Sequence, residues 1–113
     1  MTSDGPVNVD AQARELMGKA HETSSGRAAH MLRGGPASHL SQTVIAMRAG
    51  ASLSEHENPG EATVLVLEGE VRLVSDGQSW AGTRGDLIDV PAARHSLEAD
   101  TDSVVILTAV KQI

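Results

Sequence analysis

The residues of this chain best suited to metal or proton chemistry are its five histidines and its carboxylates, and it contains no cysteine. That excludes disulfides, thiolate metal sites and cysteine nucleophiles. His56 stands in the stretch SEHENPG (54–60), between Glu55 and Glu57, and is followed by Asn58, Pro59 and Gly60. His95 closes the stretch GDLIDVPAARH (85–95). Imidazoles and carboxylates gathered at strand ends and turns suit divalent-metal binding or proton transfer. The other histidines stand in plainer settings. His21 falls on an expected helix and reads as solvated, whereas His30 and His39 read as hydrogen-bonded structural residues of early strands. No GxGxxG, Walker A, GxSxG or HExxH pattern occurs, since HENPG has no second histidine four residues on.

The elements that must position these residues are short strands. Asp10 is expected to cap a helix with Ala13, Leu16, Met17 and Ala20 on one face, and Gly18 weakens it by about 1 kcal/mol relative to alanine. The chain therefore divides into a disordered lead (1–9), an N-terminal helix (10–25) and a β domain (26–113). Beyond ETSSG (22–26) the runs GRAAHMLR, HLSQTVIAMR, ATVLVLE, VRLVS, DLIDV and SVVILTAV are separated by glycine, proline and Asp76-Gly77 turns. Asp-Gly between two such runs is a tight-hairpin signal, because both central residues of that turn need positive φ. Closely spaced strands without intervening helices predict an antiparallel all-β sandwich or barrel and exclude a βαβ architecture.

Composition narrows the function classes. With 113 residues the chain is one domain, able to bury roughly two thirds of its unfolded surface. Its net charge of −6 is spread without a basic block, and Trp80 is the only aromatic residue. Nucleic acid is a poor partner on both counts. No apolar run approaches the roughly 20 residues of a membrane span, and the N-terminus lacks the pattern of a signal peptide, so a cytoplasmic location is expected. The core and any pocket must be aliphatic. Trp80 reads as a packing residue and Arg94 as a solvated arginine near the rim.

The two histidine stretches together resemble the two motifs of the cupins, small β-barrels of the jelly-roll type. The first cupin motif runs G(x)5HxH(x)3-4E(x)6G, and Gly50, His56 and Gly69 match it in spacing. The second runs G(x)5PxG(x)2H(x)3N, and Gly85, Pro91 and His95 match it with one residue lost between proline and histidine. The resemblance implies a double-stranded β-helix whose metal, where the family has one, is held by three histidines and a glutamate. Here Asn58 replaces the second histidine and Ala62 the glutamate, with Glu61 next to it.

Two readings follow from these departures. In the first, His56, His95 and Glu61 form a two-histidine, one-carboxylate set holding Fe, Mn, Ni or Zn, with Asn58 and Gln42 as further pocket residues. Glu61 lies one residue out of register for this, so a bulge after Pro59-Gly60 must turn it inward. In the second, the barrel is metal-free and serves as a ligand-binding, sensory or structural module, with the histidines as hydrogen-bonding groups. Cupins also commonly form dimers, and an open barrel has edges to cover, so a homodimer is expected.

Overall fold

The computed structural model of the protein describes residues 5–56 and 60–111. Helix α1 (Val9–Glu22) comes first, followed by nine strands. They are β1 (Arg27–Arg33), β2 (Leu40–Met47), β3 (Ser52–His56), β4 (Glu61–Glu68) and β5 (Glu70–Ser75), then β6 (Gln78–Thr83), β7 (Leu87–Asp89), β8 (His95–Ala99) and β9 (Ser103–Val110). They form a five-stranded sheet in the order β1-β2-β9-β4-β7 and a four-stranded sheet in the order β3-β8-β5-β6. Every recorded pairing is antiparallel, as the strand spacing predicts for a sandwich or barrel, and the two sheets give the jelly roll that the family resemblance implies.

Alternation along the strands builds the core. Ile45 and Met47 of β2, Val64 and Val66 of β4, Leu73 of β5, Leu97 of β8 and Val105 of β9 are buried between the sheets. Their odd or even neighbours face outward, as the period of two requires. A second apolar cluster lies on the outer face of the five-stranded sheet, where Ala13, Leu16 and Ala20 of α1 pack on Val44, Ala46 and Val104. The helix is thus fastened to the barrel by the stripe visible in its sequence. Its cap is Asn8, whose Oδ1 accepts from the Ala11 N–H at 2.8 Å, and the expected cap residue Asp10 sits in the first turn.

Turns fix the register. Asp76 and Gly77 take φ values of 50° and 76° and join β5 to β6 as the expected tight hairpin. Gly69, at φ 86°, turns the chain from β4 into β5, and a Cβ there would strike Asp102 and Ser103. Only glycine meets both demands.

Two sequence expectations change here. His21 is not simply solvated: its Nε2 lies 2.6 Å from Asp102 Oδ2, tying the end of α1 to the β8–β9 turn. Trp80 is 41% exposed on the outermost strand of its sheet, so it is not a core packing residue.

Candidate functional site

The site is built at the junction of the proline turn and β8. β7 ends shortly before Pro91, and the turn through Ala93 delivers His95 as the first residue of β8. His95, Leu97 and Ala99 are buried while Ser96 and Glu98 are more exposed, so His95 points between the sheets. It is 5% exposed. Its Nδ1 lies 2.9 Å from the Ala93 carbonyl. A carbonyl only accepts, so Nδ1 carries the proton of this contact. Ser75 Oγ donates to the Arg94 carbonyl at 2.8 Å and holds the same turn against β5.

Around His95 the wall is aliphatic. Leu53, Val64, Leu73, Val90 and Leu107 are among its neighbours around a cavity of about 20 Å³. That is room for about one water molecule, far below the volume of a usual ligand pocket. His95 is the only polar side chain on this wall among the described residues.

The backbone of His56 pairs with that of His95 across the β3–β8 ladder. The two motif histidines, 39 positions apart in sequence, are therefore opposite residues of one strand pair. The ladder is irregular between Leu53 and His56. This is not the bulge expected after Pro59-Gly60, where β4 starts in regular register at Glu61 and Pro59 lies outside the described residues. Asn58 lies outside the described residues.

The other two expected site residues are placed elsewhere. β4 pairs with β9 in unbroken register from Glu61↔Val110 to Val66↔Val105, and its irregularity comes only between Val66 and Glu68. With no bulge at its start, β4 turns Ala62, Val64 and Val66 inward, and Glu61 is exposed on the opposite face. Gln42 likewise takes the outward register. It alternates with the inward-facing Ile45 and Met47, and its Nε2 donates to Thr108 Oγ1 at 3.3 Å on the outer face.

This donor set does not fit a resident transition metal among the described residues. A protein-bound metal of this kind takes three or four protein ligands. Here His95 is one, the family's glutamate position is the methyl group of Ala62, and Glu61 and Gln42 are on the wrong face. No group of three histidine, aspartate or glutamate side chains converges anywhere among the described residues. A charge cluster lies apart from the site, on the outer face of the four-stranded sheet. There Arg72 Nε meets both Asp100 oxygens and Nη2 meets Glu98, each at 3.0 Å. Asp100 holds the Arg72 pKa above its ordinary value, and Glu98 adds to the effect.

The pocket residues that the sequence reading missed are the apolar ones. Val90 follows the alternation of Ile88 and Asp89 in DLIDV into the pocket, and Leu53 alternates with serine in β3; that period of two was the available signal.

Comparison with known proteins agrees with this architecture. The family model described as a cupin domain matches residues 43–111. A conserved protein of unknown function from Streptococcus pyogenes superposes with a TM-score of 0.74 at 20% identity, covering 100% of this chain and 92% of that one. A cupin 2 conserved barrel domain protein from Leptotrichia buccalis gives 0.70 at 31% identity, covering 79% of this chain and 43% of that one. Salicylate 1,2-dioxygenase from Pseudaminobacter salicylatoxidans gives 0.75 at 19% identity over 88% of this chain and 33% of the enzyme. No curated protein matches the chain. No helix among the described residues is long and apolar enough to cross a membrane.

Proposed function

Because the chain belongs to the cupin family, its barrel interior is the natural ligand site, and we propose that it binds a small, largely aliphatic molecule there without a resident metal. The observation that carries this reading is His95: a buried imidazole, bonded through Nδ1 to the Ala93 carbonyl, on an otherwise aliphatic wall. The polar end of a ligand would be directed toward the imidazole of His95 and its hydrocarbon part would lie against Leu53, Val90 and Leu107. Because the cavity holds about 20 Å³, binding must be accompanied by side-chain rearrangement, which favours compact ligands. No chemical step is required of the protein in this role.

A second reading has one specific observation behind it. The pairing of His56 with His95 supports a site in which both imidazoles hold a divalent transition metal, with ligands from outside the described residues completing it.

A thermal-shift series separates them. Short aliphatic alcohols such as isobutanol should raise the melting temperature of the wild type and not that of His95→Leu, with chelator present throughout. Stabilisation only by Fe(II), Mn(II), Ni(II) or Zn(II), lost in both His56→Ala and His95→Ala, would favour the metal site instead.

A further inference from the structure

Trp80 is the single aromatic residue of the chain, and the register of β6 directs it toward the barrel interior. It pairs with Leu73 across the β5–β6 ladder, and directly opposite residues of an antiparallel pair project from the same face with Cβ atoms about 5 Å apart. Leu73 is buried between the sheets and lines the cavity beside His95. Trp80 therefore starts on the inward face. It is nevertheless 41% exposed, because β6 is the outermost strand of its sheet and bonds only to β5.

What stands across the sandwich is fixed by Gly82, two residues further along β6 on the same face. Gly82 is buried, and a Cβ there would lie 2.7 Å from Ile88 Cδ1 and 3.3 Å from Val66 Cγ2, so at this level the two sheets are closed on each other. A turn joins β6 to β7, with the Asp86 N–H donating to the Thr83 carbonyl at 2.9 Å. One step further from that turn, the facing inward positions are Trp80 and Val90. The Val90 N–H donates to the Ala62 carbonyl at 3.0 Å, which carries the β4–β7 ladder one residue beyond Asp89 and gives Val90 the inward parity of Ile88. Val90, like Leu73, lines the cavity.

We propose that Trp80 is the movable outer wall of the barrel cavity and sets the size of molecule that the cavity admits. The inference rests on the reading that the barrel interior binds a small aliphatic molecule. A cavity of about 20 Å³ must enlarge before such a molecule fits, and the side chains around it differ in their freedom to move. Leu73, Leu97 and Val105 are enclosed between the two sheets. The Trp80 indole is open to solvent on one side, and no hydrogen bond among the described residues holds it. Its outward swing opens the gap between Leu73 and Val90, at the edge of the four-stranded sheet opposite β3. The ligand then enters from the β6 side, and its polar end reaches His95 on β8 from across β5.

Trp80 is its own reporter, because the chain has no other aromatic residue to contribute to its fluorescence. In the full-length wild type, saturating isobutanol should shift the emission to longer wavelength and raise its quenching by acrylamide, as the indole moves into water. Trp80→Ala should bind cyclohexanol more tightly relative to isobutanol, with the ratio of the two dissociation constants changed about tenfold or more from that of the wild type in calorimetry. Ser79→Ala, on the opposite face of β6, should leave that ratio where it is. Heat of isobutanol binding with an unmoved or blue-shifted emission would overturn the movable wall and leave the ligand reading standing. An unchanged ratio in folded Trp80→Ala, or an equal change in Ser79→Ala, would do the same. Absence of isobutanol binding to the wild type would overturn both. The emission measurement requires no variant, so it decides the matter even where Trp80→Ala does not fold.

Discussion

His95 and His56 are opposite residues of the β3–β8 ladder, and β3 departs from regular register immediately before His56. The strand pair thus unites the two halves of the cupin motif, while the neighbouring strand β4 keeps Glu61 out of the barrel by starting its ladder in regular register. Among the described residues His95 is a buried imidazole on an aliphatic wall, and each expectation below depends on it or on the elements that hold it.

Replacing Glu61 or Gln42 should leave the site intact. Both side chains are on the outer face of the five-stranded sheet. Glu61→Gln and Gln42→Ala are expected to bind isobutanol with the same dissociation constant as the wild type, and Glu61→Gln should not alter metal content. A tenfold loss in either variant, measured by calorimetry, would place that residue at the pocket.

His95→Ala should cost stability as well as binding. It removes the partner of the Ala93 carbonyl inside the barrel, a loss on the order of 1–3 kcal/mol. Urea denaturation should show the midpoint falling with an unchanged slope, as befits a local defect in a two-state fold.

Much of the fold was legible in the sequence, and the reason is that periods and turns are local. Asp76-Gly77 announced its hairpin, and Gly69 its crowded turn. The stripe of Ala13, Leu16 and Ala20 announced a docked helix. The motif spacing located His56 and His95. What was not legible depended on register, which is set by long-range pairing. Glu61 and Ala62 differ by one position and so by opposite faces, and only the ladder with β9 decides between them. Gln42 had two possible registers for the same reason. β8 was hidden because HSLEA begins with the histidine read as the end of a turn, although its alternation of buried and open positions is regular. The partner of His21 lies 81 residues away in sequence, beyond any local signal.

Leu16→Ala should weaken the attachment of α1. Leu16 is buried against the outer cluster of Val44, Ala46 and Val104, and truncating such a leucine costs about 2–5 kcal/mol. Thermal denaturation measures the loss. A change below about 0.5 kcal/mol would mean that the helix contributes little to the stability of the barrel.

Acid should loosen the same region through Asp102. Its pKa is lowered, first by the Ala49 N–H at 2.8 Å and then by His21. A folded-state value below the unfolded one, near 3.9, means that the stabilisation is complete above the unfolded value and is lost as pH falls through the folded one. Asp102→Asn should therefore be less stable than wild type at neutral pH, with the difference narrowing below about pH 4. Denaturation midpoints across that range provide the check; a difference that stays constant would remove the carboxylate from the explanation.

The central claim is that the barrel is a metal-free aliphatic pocket oriented by His95, and the ring nitrogens of that residue report on it most directly. In chelator-treated, 15N-histidine-labelled protein, the imidazole resonances of His95 should shift on titration with isobutanol while Nδ1 keeps the signature of a protonated nitrogen. Resonances of His30 and His39 should stay in place. An unresponsive His95, together with stoichiometric transition metal retained by the protein before chelation, would contradict the account.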